Sequence, residues 1–170
     1  LLGAELQAVG VREESLASLS QISVLTFGLA TLVVFGAALF RGRPWLGITV
    51  AAAMGVSVLL GEVLQEILPR PQLVEGPAWI LRNSFPSGHA TVAAAIGAGA
   101  LAVSPGRLRW LIAPLGAAYA AVIGQANLVA GWHRMSGTVG GVLLVIAVML
   151  LALALLAAGG RVDPSTDGRM

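Results

Sequence analysis

The chain has 170 residues, of which 57% are hydrophobic and only 11% are charged. Soluble domains carry about 45–50% apolar and about 25% charged residues, so this composition excludes an ordinary soluble domain and indicates a membrane protein. The sequence contains no cysteine and no lysine, which excludes disulfide frameworks, thiolate metal sites and lysine Schiff bases. The net charge of +2 rests on so few charged residues that we expect no nucleic-acid partner.

Five apolar runs are long enough to cross the roughly 30 Å hydrocarbon core of a bilayer, which takes about 20 helical residues. We therefore predict an all-α fold, a polytopic membrane helix bundle with five transmembrane helices in this chain. The predicted spans are Ile22–Phe40, Trp45–Leu68, Gly88–Gly106, Trp110–Trp132 and Met135–Gly160. Five crossings leave the two ends of the chain on opposite sides, so we expect a sixth helix before Leu1 in the full protein.

The polar segments set the expected domain limits and orientation. Residues 1–20 would form an extramembrane N-terminal segment, residues 21–160 the transmembrane domain and residues 161–170 a polar tail. Arginines are more frequent at one end of the predicted helices, and the positive-inside rule favours that end as cytoplasmic. That end carries Arg41, Arg43, Arg107, Arg109 and Arg161, and the other carries Arg12, Arg70, Arg82 and Arg134.

Both histidines of the chain fall at the same predicted membrane face. His89 begins the third predicted helix, while His133 and Arg134 follow the end of the fourth and Arg70 follows the end of the second. Because successive helices alternate in direction, these three places meet at one face, which we expect to be the outer one. Burying ionisable groups without partners costs several kcal/mol, so such a cluster is a candidate functional site.

The segment Pro86-Ser87-Gly88-His89 also predicts an anion site. Ser87 suits a helix N-cap, and Gly88 lets a ligand approach backbone amides that no helical carbonyl satisfies. Such a terminus binds phosphate, and the forked donors of an arginine such as Arg70 match phosphate oxygens. Two histidines can then divide the chemistry, because one attacks phosphorus while the other protonates the leaving alcohol and later activates water.

These residues resemble the three signatures of the type-2 phosphatidic acid phosphatase family, the membrane branch of a superfamily shared with vanadium haloperoxidases. The matching segments are Arg70-Pro71, Phe85-Pro86-Ser87-Gly88-His89 and Gly131-Trp132-His133-Arg134. The resemblance implies a six-helix core that dephosphorylates lipid phosphates or diphosphates without a metal or other cofactor. It implies His133 as the nucleophile that forms a phosphohistidine and His89 as the general acid and base. It also implies three phosphate ligands, Arg70, Ser87 and Gly88.

Several positions depart from the family pattern. The lysine expected seven residues before Arg70 is Val63, and the expected serine, arginine and aspartate of the third signature are Ala126, Asn127 and Gly137. The aspartate orients the nucleophilic imidazole, and loss of the analogous group in a serine triad costs about 10⁴ in rate. Each missing oxyanion donor costs roughly 10² to 10³.

Other residues offer compensation. Arg134 or Arg82 would supply the missing positive charge to phosphate, although both arginines would also suit lipid headgroups. Asn127 would still donate a hydrogen bond to phosphate. Glu62 and Glu66, one turn apart on the second predicted helix, would orient an imidazole in place of the aspartate.

Three functions therefore stay open. The first is a lipid phosphate or polyprenyl phosphate phosphatase, facing outward from what the actinobacterial-like composition suggests is a bacterial plasma membrane. The second is a catalytically weakened homologue that binds lipid or supports a membrane complex, with another membrane protein or a second copy as partner. The third, bis-histidine haem or metal binding, is disfavoured because His89 starts one predicted helix while His133 ends another. We accordingly predict no metal and no cofactor.

Small residues predict close helix packing. Gly137 and Gly141 have the spacing of small residues that face a neighbouring helix, and the run Ala93–Ala100 consists mainly of alanine and glycine.

Overall fold

The computed structural model describes residues 2–68, 85–131 and 134–161, with side chains from residue 9 onward. Within these ranges the chain forms six α-helices and no β-strand, which confirms the all-α prediction for this part of the chain. The helices are α1 Leu2–Ser20, α2 Val24–Phe40, α3 Pro44–Ile67, α4 Gly88–Val103, α5 Gly106–Val129 and α6 Met135–Ala158.

Local sequence signals explain most of the helix limits. α2 starts at a capping box, in which the Ser23 hydroxyl accepts from the Thr26 amide at 3.1 Å and the Thr26 hydroxyl accepts from the Ser23 amide at 2.8 Å. α3 begins with Pro44 in its first turn, where the missing N–H costs nothing. α5 ends before Gly131, whose left-handed φ of 73° suits glycine.

The count of five full spans is not confirmed. Only α3, α5 and α6 are both long and apolar enough to cross a bilayer among the described residues, and residues 9–20 and α2 add a fourth span only as one unit bent by 56°. α4 has 16 residues, about 24 Å at a rise of 1.5 Å per residue, which is short of a hydrocarbon core of about 30 Å. It ends at Val103 because Ser104 has an extended backbone, with Pro105 directly after it.

The connection between the third and fourth predicted spans, which end at Gly106 and begin at Trp110, is also shorter than expected. Pro105 caps α5, and the helix starts at Gly106, so that Arg107 and Arg109 belong to its first turn. A proline before a helix is compatible with this, since its fixed φ suits the entry into a first turn.

α4 occupies the centre of the bundle, packing against α2, α3, α5 and α6. Its contact with α5 is a close backbone approach, because a Cβ added to Gly97 would lie 3.1 Å from the Cα of Gly116. Ala93, Ala94 and Ala95 are buried. The predicted packing role of this alanine and glycine run is therefore confirmed.

The N-terminal segment is helical. α1 packs along α5, and Leu19 in its last turn is only 1% exposed, in a cluster with Ala93, Ile123 and Ala126. Leu19 is thus the buried residue among the described side chains of α1, and it lies at the contact with α5.

Candidate functional site

The candidate site is built around the start of α4. Ser87 is the N-cap and is completely buried, at 0% exposure. Its hydroxyl accepts a long hydrogen bond of 3.4 Å from the Ala90 amide. Its carbonyl accepts from the Thr91 amide at 2.9 Å and from the Thr91 hydroxyl at 2.8 Å. The predicted capping role of Ser87 is confirmed.

Three other helix ends are bonded to this point. At the end of α3, the Gln65 side-chain amide donates to the Pro86 carbonyl at 2.6 Å. Near the end of α5, the Asn127 side-chain amide donates to the Ser87 hydroxyl at 3.2 Å. At the start of α6, the Gly137 carbonyl accepts from the Ser87 amide at 2.9 Å. The predicted convergence of helix ends at one face of the bundle is therefore confirmed.

Glycine at position 141 allows α6 to approach α4 so closely. A Cβ there would lie 2.7 Å from the Thr91 hydroxyl and 2.9 Å from the Ser87 carbonyl oxygen, distances at which something must shift. Gly140 similarly faces the ring of Phe85. The predicted packing role is thus confirmed for Gly141, at the site itself, and Gly137 is buried at the start of α6.

The bonds described above do not use the Gly88 amide of the first turn. The amides of Ser87, Ala90 and Thr91 are all used within the protein. The Gly88 amide, on a half-buried residue, has no acceptor among the described residues. Together with the positive end of the helix dipole, it suits an anion.

The structure locates five of the eight predicted site residues. His89 is the second residue of α4 and is half-buried, and Arg134 is exposed as the N-cap of α6. Ser87, Gly88 and Asn127 lie as described above. The remaining three, His133, Arg70 and Arg82, lie outside the described residues.

Asn127 occupies a different environment from the one predicted for a phosphate donor. It is completely buried, at 0% exposure, and its amide nitrogen is directed to Ser87. Its Oδ1 is buried with no donor in the described part of the chain, and the same holds for the Thr138 hydroxyl.

The other departures from the family pattern bring no charge to the site. Val63 is 49% exposed, Ala126 is buried, and Gly137 contributes its carbonyl to Ser87. Glu62 and Glu66 are both exposed on α3. Gln65 lies between them and donates its hydrogen bond to the Pro86 carbonyl, directly before α4. This contact was not predicted, although a polar residue within an apolar run was a signal for it.

Metal-ligating residues do not gather in the described ranges. No group of three or more histidine, aspartate or glutamate side chains there has an arrangement that would hold a metal ion. The polar groups that do converge at the start of α4 are amides, hydroxyls and carbonyls.

Comparison with known proteins identifies the family. Neither curated proteins nor solved structures gave a match to the chain. The family model described as the PAP2 superfamily matches residues 19–161. This range contains α2 to α6 and every candidate site residue, including those of the three signatures. The chain therefore belongs to the PAP2 superfamily, as its histidine motifs indicate.

Proposed function

We propose that the chain is a phosphatase for lipid phosphates, with polyprenyl phosphates and diphosphates among its candidate substrates. Membership of the PAP2 superfamily supports a hydrolase, because its members are generally phosphatases. The single observation that carries the proposal is the hydrogen bonding of three helix ends to the start of α4. That start bears Ser87, Gly88 and His89, the second family signature.

A lipid substrate fits the position of this site. α3, α5 and α6 are long and apolar enough to cross a bilayer, and the site lies where α3 and α5 end and α6 begins. A lipid phosphate places its headgroup at the membrane surface and its chains in the hydrocarbon. Its phosphate would therefore reach the start of α4 while the chains stay in the bilayer, on the face that we propose to be the outer one.

The proposed chemistry uses the two histidines in succession. An imidazole nitrogen of His133 attacks phosphorus, the bond from phosphorus to the lipid oxygen breaks, and His89 gives its proton to the departing alcohol. His89 then takes a proton from water, whose oxygen attacks the phosphohistidine. Inorganic phosphate leaves, and both imidazoles return to their first state without a metal ion.

Phosphate oxygens would be held by an amide and by arginines. The open amide of Gly88 and the dipole of α4 favour the anion. Arg134 lies next to His133 in the chain, and Arg70 and Arg82 are the further positive charges proposed for the pocket.

Ser87 and Asn127 act one step away from phosphate in this proposal. Both are completely buried, and the Ser87 hydroxyl already accepts from Asn127 and from the Ala90 amide. We therefore assign them a positioning role: Asn127 holds Ser87, and Ser87 sets the start of α4 and the Gly88 amide. This differs from the direct phosphate contact that the family resemblance implies for Ser87, and from the compensating hydrogen bond to phosphate that we predict from the sequence for Asn127.

A second candidate is a weakened homologue that binds lipid without turning it over. It is favoured by Val63, Asn127 and Gly137, which carry no charge where the family places lysine, arginine and aspartate. This candidate predicts a stable protein that retains a membrane partner in mild detergent and releases no phosphate.

One assay separates the two candidates. The purified chain is given polyprenyl phosphate, polyprenyl diphosphate, phosphatidate and phosphatidylglycerol phosphate in detergent with a chelator, and inorganic phosphate is measured. We expect release by the wild type and a loss of roughly 10²-fold or more in His89→Ala, the usual range for an acid–base residue. His133→Ala removes the nucleophile and should release phosphate only at background level. Ser57→Ala, a buried site in the middle of α3, is the matched control and should keep full activity. Equal, background-level release of phosphate by the wild type and all variants on every lipid would contradict the phosphatase function.

A further inference from the structure

A second cleft lies at the end of the bundle opposite His89. It is formed where α3 begins and α6 ends, has a volume of about 280 Å³ and is lined by Arg43, Trp45, Leu156 and Arg161, among others. Leu156 and Arg161 also line a neighbouring groove of about 460 Å³ between α3 and α6. The two spaces thus adjoin each other through these shared residues.

The groove is apolar and has the length of one lipid leaflet. Its lining runs from Val148 in α6 to Gly159 directly after α6, 11 steps along the helix or about 16 Å at a rise of 1.5 Å per residue, close to half of a hydrocarbon core of about 30 Å. Alanines such as Ala52 and Ala152 give it depth, and larger side chains such as Leu155 border it.

The cleft at the end of this groove is cationic. Arg43 and Arg161 both line it. The Arg161 guanidinium lies over the Trp45 ring, 4.6 Å from its centroid, which orients this exposed side chain. Two guanidinium groups beside an indole match a phosphate at the membrane surface.

We propose that this site binds an anionic glycerophospholipid, with its phosphate between Arg43 and Arg161 and one acyl chain in the groove between α3 and α6. Charge complementarity at the cleft and the length of the groove select this occupant over a peptide or a second copy of the chain. The site is separate from the candidate catalytic site, since the 24 residues of α3 lie between the two ends. The proposal does not depend on phosphatase activity.

Lipid titration of the purified chain tests the proposal. The full chain in mild detergent is titrated with phosphatidylglycerol, with phosphatidylcholine or with inorganic phosphate, and the thermal unfolding midpoint is followed while native mass spectrometry counts retained lipid. We expect a rise in the midpoint with phosphatidylglycerol alone, because a ligand that binds only the folded state stabilises it.

Variants assign the binding to the cleft and the groove. Removing one arginine should weaken binding of phosphatidylglycerol about fivefold, and Arg43→Gln with Arg161→Gln about 25-fold. Arg107→Gln with Arg109→Gln removes the same charge at the same end of the bundle but outside the cleft, and should bind as the wild type does. Ala52→Leu, at an exposed residue of the groove, should also weaken lipid binding by obstructing the acyl chain.

Several results would overturn the proposal. They are an equal response of the wild type to phosphatidylcholine, an equal response to inorganic phosphate, and unchanged binding in the double arginine variant. An equal loss of affinity in the Arg107 and Arg109 control would also do so, since it would assign the effect to net charge. The single change Arg161→Gln affects an exposed side chain and keeps the test valid if the double variant does not fold.

Discussion

Replacing Asn127 with alanine separates a positioning role from a structural one. The change removes the hydrogen bond of 3.2 Å from the Asn127 amide to the Ser87 hydroxyl. It also removes the buried Oδ1, which has no donor among the described residues. The two effects on stability therefore have opposite signs.

Their magnitudes nearly cancel. A hydrogen bond contributes about 0.5–1.5 kcal/mol net, whereas a buried acceptor without a partner costs about 1–3 kcal/mol. We expect the free energy of unfolding of Asn127→Ala to stay within about 1.5 kcal/mol of the wild type. Activity should respond more strongly, because a displacement of about 1 Å in a positioned group costs up to about 10²-fold in rate.

The assay measures thermal unfolding and phosphate release on the same preparations. We expect Asn127→Ala to lose kcat by roughly 10- to 100-fold with little change in KM. Ser57→Ala is the matched control, since it removes a hydroxyl that is equally buried and donates to Ala53 at 2.8 Å within α3. Full activity in Asn127→Ala, or an unfolding loss above about 3 kcal/mol that accounts for the missing activity, would refute the positioning role.

Three further predictions concern the same helix ends. Gly141→Ala should lower the free energy of unfolding by about 1–3 kcal/mol, because its Cβ would lie 2.9 Å from the Ser87 carbonyl oxygen. Gly55→Ala is the control and should raise the free energy of unfolding by up to about 1 kcal/mol, because its Cβ would meet nothing within 4 Å. Equal thermal unfolding of the two variants would contradict the close packing at Gly141. Ser87→Ala should lose both stability, by about 0.5–2 kcal/mol, and phosphate release. Ser23→Ala, at the exposed cap of α2, should lose stability alone, and retained phosphate release in Ser87→Ala would count against the site. Gln65→Ala should lower phosphate release by freeing the end of α3 from Pro86, and unchanged release would show that this contact is dispensable.

The sequence was sufficient to locate five of the six helices in the described residues. Continuous apolar runs predicted α2 to α6, and most ends were marked by residues with a known local effect, such as Ser87 at the start of α4. The count of five full spans was not confirmed because an apolar run gives an upper limit to a helix, and Ser104 and Pro105 end α4 within the run. α1 was missed because its polar residues, such as Glu13 and Glu14, conceal the buried contact of Leu19.

The site was predictable in outline only. Helix direction and the histidine motifs indicated which helix ends meet, and the bonds from Gln65 and Asn127 to the start of α4 agree with that. The direction of each side chain was not predictable. Because α5 is apolar around most of its circumference, its sequence does not indicate which face of the helix is turned toward the rest of the bundle. From the sequence, Asn127 was therefore predicted to donate a hydrogen bond to phosphate, whereas in the structure its side-chain amide donates to Ser87.

The most direct test of the central claim is detection of the phosphorylated enzyme. The wild type and His133→Ala are mixed with a polyprenyl diphosphate labelled at its terminal phosphate, quenched within one turnover under conditions that preserve phosphohistidine, and mapped by mass spectrometry. The account predicts label on His133 of the wild type and none in His133→Ala, with His89 unlabelled in both. Equal labelling of the two proteins, or phosphate release by a wild type that never carries label on His133, would contradict it.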